Sequence, residues 1–248
     1  MNDPVYSILS YTHSDPLYNS LSDRINVARG TPRENLENVL DGSVLASVVS
    51  LYSYFRNTGD LERINATNIH TLSTTGSTLL VSDGHTIKKS MRISISNETE
   101  TTKEYLRLVL TSLKIDGKMI ESQNTGAEDL LNENEYALVI GDEALKVYKT
   151  SFRIIMDVGY EFSRFFHMGP VYAVTVKRKD SALNLPDISD FVIPDMKIID
   201  ECTGAAARRL SLPEDILRWY YGLMKYDENK WVESAISLME SFFTKEKR

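Results

Sequence analysis

The spacing of apolar positions changes period repeatedly along the chain, and each change marks an element. Residues 5–11 form a short apolar stretch of strand character; Leu17, Leu21 and Ile25 then recur at helical spacing behind His13-Ser14-Asp15-Pro16. Thr31-Pro32-Arg33-Glu34 joins a capping residue to an early proline and a glutamate at the third position, which predicts a helix through Leu40, with Gly42 ending it. Residues 44–49 are β-branched with little alternation, as in a strand covered on both faces, and the sequence LYSYFRN behind them reads as a short helix. Residues 64–83 predict two extended pieces joined through Thr74-Thr75-Gly76-Ser77. Residues 92–96 alternate in strand fashion, after which Leu106, Val109, Leu110 and Leu113 fall on one helical face, with Thr101 and Glu104 spaced as a capping box.

Further strands are predicted at residues 118–123, 136–140, 153–158 and 170–176, and helices at 127–132, from Gly141, and at 161–167. From Ile193 onward the pattern is helical. Ser211 and Glu214 are spaced as a second capping box before Ile216, Leu217, Tyr220 and Leu223, and a last helix at residues 229–243 offers Trp231, Ile236, Met239 and Phe243 to a core. Strands alternating with helices predict an α/β fold with parallel or mixed sheets. The turn Ser82-Asp83-Gly84-His85 suggests a crossing into a second lobe, giving residues 1–84 and 175–248 as one lobe, with the C-terminal helices, and 85–174 as the other.

In such sheets ligands lie beyond the carboxyl ends of the strands. His13, Ser47, Ser50, Ser77, Thr99, Thr101 and Thr102 are predicted at such ends, and the first strand delivers Tyr11 there as well. A hydroxyl-rich turn opening a helix offers amides and a positive dipole end, which suits a carboxylate or phosphate; the same threonines also read as ordinary caps. Gly76 would let backbone approach a ligand beside Ser77, or simply make a bend. Asp142 is placed to cap the helix from Gly141.

With 248 residues, 42% of them hydrophobic and 25% charged, the chain has the composition of a globular protein with real cores. A net charge of -7 argues against a nucleic-acid surface, and the basic runs at residues 177–179 and 245–248 read as solvated ends. Cys202 is the sole cysteine, which excludes an internal disulfide and a multi-cysteine metal site; in a helix it reads as a buried thiol. The N-terminus lacks a basic segment followed by a long apolar one, and no apolar run reaches the roughly 20 residues of a membrane span, so a cytoplasmic location is expected. His13, His70, His85 and His167 lack metal-ligand spacing, and GxGxxG, GxxxxGK[ST], HExxH and GxSxG are all absent, so a zinc site, a Rossmann dinucleotide site, a P-loop and a hydrolase triad find no support.

Six segments in order, YTHSDPL, LDGSVLASVVSLYSYFR, TTGSTLLVS, SNETETT, YALVIGDEAL and DVGYEF, together with the tail ARRLSLPEDILRWYYGLMKY, resemble the MqnA branch of the MqnA/MqnD family of menaquinone biosynthesis. The resemblance implies a two-lobed fold of the type II periplasmic-binding-protein kind with a central cleft. It implies a chorismate dehydratase of the futalosine pathway, a lyase converting chorismate to 3-[(1-carboxyvinyl)oxy]benzoate with no metal or organic cofactor. The partner implied is a small dicarboxylate, with no nucleic acid or membrane, and a homodimer is compatible with it. The sister reaction forming 1,4-dihydroxy-6-naphthoate, and a non-catalytic binder of small anions, are the other functions this fold class allows.

Carried over by motif, the family's serine after glycine is Ser77, its S-x-x-S pair is Ser47 and Ser50, and its hydroxyl-rich turn is Thr99, Thr101 and Thr102. Two departures each introduce a histidine: His13 stands at the asparagine of the family's Y-x-N-x-x-P-L motif, and Phe166-His167-Met168-Gly169 replaces its T-G-L-P segment. His13 and Ser77 are thus the expected catalytic residues, with Tyr11, Ser47, Ser50, Gly76, Thr99, Thr101, Thr102, Asp142 and His167 contacting substrate.

Overall fold

The computed structural model describes residues 5–181 and 194–246. It divides into two compact units, one formed by Met1–His70, Val171–Ala205 and Met224–Arg248, the other by Thr71–Pro170 and Ala206–Leu223.

In the first unit, β1 (Tyr6–Leu9) lies between β2 (Val27–Gly30) and β3 (Ala46–Ser50), both parallel to it; β10 (Val171–Arg178) runs antiparallel to β3 and to β4 (Leu61–His70). The order is β2-β1-β3-β10-β4. The strands are buried enough that their polar side chains must find partners inside the protein. The Tyr6 hydroxyl meets Thr67 Oγ1 at 2.5 Å and Thr175 Oγ1 at 2.8 Å, and burial pushes its pKa up to about 12 against those two bonds. β1 leads through a 3-10 turn (Thr12–Ser14) into α1 (Asp15–Leu21), and β3 leads into α3 (Leu51–Arg56). Before α2 (Pro32–Asp41) the capping box forms in both directions, the Glu34 amide donating to Thr31 Oγ1 and the Thr31 amide to Glu34 Oε2, and Gly42 ends the helix at φ 83°. α8 (Met196–Leu210) buries Cys202, whose sulfur accepts a hydrogen bond from Asn19, and α10 (Lys230–Glu246) buries Ile236 and Met239. Phe243 packs its ring 5.0 Å from that of Phe55.

The second unit has the sheet β7-β6-β8-β5-β9. Here β6 (Ser90–Ser96) pairs parallel with β7 (Asp116–Ser122) and β8 (Tyr136–Ile140), while β5 (Thr78–Ser82) is antiparallel to β8 and to β9 (Arg153–Asp157). Leu79, Val81, Ala137 and Val139 share one apolar cluster with residues of α5 (Ala127–Glu133) and α6 (Gly141–Val147). α4 (Thr101–Ser112) packs on α7 (Val158–Phe166), with the Tyr105 and Phe162 rings 4.5 Å apart, edge to face. α9 (Glu214–Leu223) belongs to this unit.

Several expectations are corrected. Because β5 pairs only within the second sheet, the crossing falls between His70 and Thr71 and not at residue 84; the return falls between Pro170 and Val171, and 206–223 join the second unit. β2 was not legible, being four residues at a sheet edge of which only Gly30 is buried. Thr101 is the first residue of α4, Glu100 holds the cap position, and Glu104 pairs with Arg107, so no capping box forms there. Ser211 takes a left-handed φ of 54° beyond the end of α8, and α9 starts at Glu214. Trp231 is 64% exposed, at the start of α10, and is no part of the core. Of the basic runs, Lys177 is half-buried and pairs with Glu62 at 2.9 Å, while the side chains of 245–248 lie outside the described residues.

The segments at the two crossings touch. The Thr71 amide donates to the Pro170 carbonyl at 3.2 Å, and a Cβ on Gly169 would lie 1.9 Å from the Thr71 carbonyl oxygen. A backbone atom cannot swing away as a flexible side chain can. Gly169→Ala should therefore cost about 2–3 kcal/mol, within the range for overpacking, read as a lower urea midpoint at unchanged slope.

Candidate functional site

Each unit gathers chemistry at one sheet edge. In the second unit the carboxyl ends of β6, β8 and β9 and the amino end of β5 lie at the same edge, since β5 runs against its neighbours. Gly76, Ser77, Thr99, Thr101, Thr102 and Asp142 are all brought to it. Ser96 begins the turn into α4: its Oγ accepts from the Glu98 amide at 3.1 Å and its carbonyl from the Thr99 amide at 3.0 Å. Glu98 is thereby left exposed, while Thr99, Thr101 and Thr102 are buried. Thr99 Oγ1 is buried and makes no hydrogen bond, and α4, twelve residues long, has no side-chain cap at its amino end. The positive end of a helix dipole and an unsatisfied buried hydroxyl thus adjoin, a combination that favours an anion.

Across the same edge the loop before β5 is fastened by Asp157, a residue that the sequence reading passed over. Its carboxylate accepts from the amides of Gly76 at 2.6 Å, Thr75 at 3.1 Å and Tyr160 at 2.9 Å, and Gly159 adds a fourth. Burial pushes its pKa up and outweighs those four bonds, which pull it down. Asp157 is also the cap of α7. Its signal was present: an Asp ending a strand with an amide three residues on is an N-cap pattern.

Gly76 stands at φ +74°, but the space a Cβ would need is taken by Trp219 Cη2 at 2.9 Å. Its side thus packs on protein, and the expected approach to a ligand from that side is not there. Its carbonyl accepts from the Tyr148 hydroxyl at 3.0 Å. Burial, with Asp157 nearby, pushes Tyr148 up to about 12. Ser77, 4% exposed, accepts a hydrogen bond from the Tyr220 hydroxyl at 3.0 Å, which leaves its own proton to give elsewhere. Asp142 sits in the first turn of α6, whose cap position is Ile140, so its expected capping role is corrected. His167 is exposed at φ 56° and closes the carboxyl end of α7, the end remote from this edge.

In the first unit, Tyr11, His13 and Ser50 lie at the carboxyl edge, where β1 and β3 end. The Tyr11 and His13 rings stand 5.5 Å apart. The Tyr226 hydroxyl donates to the His13 carbonyl at 2.6 Å, and Arg29, paired with Asp15 at 2.7 Å, donates to the Tyr11 carbonyl at 3.3 Å. The main chain of the loop is thereby held at both residues. Ser50 caps α3, accepting from the Ser53 amide at 2.9 Å. Ser47 is corrected: wholly buried, it pairs its hydroxyl with Ser7 at 2.6 Å, inward of the strand end. Among the described residues no group of three or more His, Cys, Asp or Glu is placed to hold a metal ion, and no helix is long and apolar enough to cross a membrane.

Solved structures share this fold. The alkanesulfonate-binding protein SsuA of Xanthomonas axonopodis pv. citri, bound to MOPS, matches with a TM-score of 0.73 at 11% identity, over 100% of this chain and 95% of that one. The periplasmic aliphatic sulphonate binding protein SsuA of Escherichia coli matches at 0.68 and 11%, over 100% and 94%. Protein AF1704 of Archaeoglobus fulgidus matches at 0.67 and 11%, over 94% of each chain. At such identities the likeness establishes the fold, that of the periplasmic binding proteins, and nothing of the ligand. No curated protein matches the chain. A family model described as menaquinone biosynthesis does match, over residues 6–243. By that match, which spans nearly the whole sequence, the chain belongs to the menaquinone biosynthesis family.

Proposed function

We propose that the protein is a cytoplasmic chorismate dehydratase, a lyase that removes water from chorismate to leave 3-[(1-carboxyvinyl)oxy]benzoate. The observation that carries this reading is the buried, unsatisfied Thr99 hydroxyl at the uncapped amino end of α4. It is a place for a carboxylate, of which chorismate has two. Membership of a menaquinone biosynthesis family and the ordered motifs support the same reading. The reaction loses the ring hydroxyl and a proton from the adjacent carbon and gains aromaticity, so orientation and proton handling account for most of the work. Thr99, Thr101 and Thr102 hold one carboxylate, and Ser77 donates a hydrogen bond to the substrate.

Thr99→Val separates recognition from folding. Replacing an unsatisfied buried hydroxyl by a methyl group should stabilise the ligand-free protein by about 1 kcal/mol, yet weaken chorismate binding about tenfold, a loss of the size of one hydrogen bond to a charged group. Calorimetric titration with chorismate, beside thermal unfolding, reads both. Equal affinity in variant and parent, or no binding to either, would contradict the proposal.

A further inference from the structure

The Gly76-Ser77 corner of the second unit is fastened atom by atom, and the fastening ends on the Ser77 hydroxyl. The Asp157 carboxylate takes the Gly76 amide, the Gly76 carbonyl accepts from the Tyr148 hydroxyl, and the Gly141 amide donates to the Ser77 carbonyl at 2.9 Å. Trp219, on α9, fills the space beside the Gly76 Cα. The next residue of the same helix, Tyr220, is wholly buried and donates from its hydroxyl to Ser77 Oγ at 3.0 Å. A serine hydroxyl carries one proton that rotates to suit its neighbours, and two acceptor sites. A phenol that donates to it fills one acceptor site and does not receive the serine's proton, so that proton is turned away from Tyr220.

We infer that Tyr220 is a positioning residue, which by donating to Ser77 Oγ fixes the serine rotor and makes Ser77 a hydrogen-bond donor to an oxygen of the substrate. This deepens the proposed function and rests on it. With no exposed surface, Tyr220 acts through Ser77 alone. Its proton stays on the phenol throughout, and no covalent bond forms or breaks. Hydrogen bonds in series polarise one another, so donation by the phenol also strengthens Ser77 as a donor. Without that donation the Ser77 proton is free to turn, and for part of the time Oγ presents a lone pair to the substrate oxygen. A bond that merely pins α9 to the loop before β5 would have a different signature, since its loss would act whether or not residue 77 carries a hydroxyl.

A double-mutant cycle on chorismate turnover tests this. Tyr220→Phe should lower kcat/KM by about tenfold, the worth of one well-placed hydrogen bond. Ser77→Ala should lower it further, and the double variant should match Ser77→Ala within about twofold, because the phenol has no other route to the substrate. A purely structural role predicts that Tyr220→Phe lowers kcat/KM by the same factor in both backgrounds, or leaves it unchanged in both, and either result would overturn the inference. Should Tyr220→Phe fail to fold by circular dichroism, 3-fluorotyrosine at position 220 decides: as a more acidic phenol of nearly equal size it should raise kcat/KM above the parent near neutral pH, and an unchanged or lower value would overturn the inference. A parent protein that leaves chorismate unchanged would remove the proposed function, and this inference with it, before any variant is made. An active parent whose two losses multiply independently would remove the inference alone.

Discussion

Asp157→Ala is expected to lower the free energy of unfolding by about 3–5 kcal/mol, because it leaves several buried amides without an acceptor at about 1–3 kcal/mol each. The carboxylate satisfies Thr75 and Gly76 ahead of β5 and Gly159 and Tyr160 at the start of α7. Few surface changes exceed half a kcal/mol, so urea unfolding would resolve the effect. A pH signature accompanies it. Asp157 titrates higher folded than unfolded, so the native state binds more protons in that interval, and stability falls as pH rises through the raised pKa. Asp157→Ala should remove that part of the slope. An alanine variant as stable as the parent would show that the loop before β5 is held by other means.

His13→Ala is expected to reduce chorismate turnover by about 100-fold or more while the fold persists, since an aligned proton donor or acceptor contributes that much. The loop should survive because Tyr226 grips the His13 carbonyl, which alanine retains. What is lost is the imidazole and its ring contact with Tyr11. Steady-state kinetics and thermal unfolding on the same preparation read the two separately. Turnover within a few-fold of the parent would take His13 out of the chemistry and leave it a loop residue.

The architecture was readable wherever local signals were strong. The Thr31 box, the Gly42 stop and the alternation leading through Ser96 into α4 all report interactions within a few residues of one another, and they appear as expected. Signals of equal local strength failed at Thr101 and Ser211, where the sheet end and the preceding helix decide the backbone conformation. The site was legible as residue types at strand ends, since hydroxyls and Gly76 cluster there in sequence. It was not legible as partnerships. Nothing near Ser77 announces Tyr220, nothing near His70 announces Asp227, and nothing near Ser47 shows that Ser7 uses its hydroxyl. Those pairs are made by chain returning from a distance, and only the assembled units display them.

The account stands or falls on turnover. Pure protein should be incubated with chorismate and followed by proton NMR: new aromatic ring signals should appear, with the two vinyl protons of the enol ether retained and the ring carbinol proton lost, faster than in a protein-free control. Chorismate that persists apart from its spontaneous decay, even if bound, would contradict the dehydratase and leave a binder of small anions in its place.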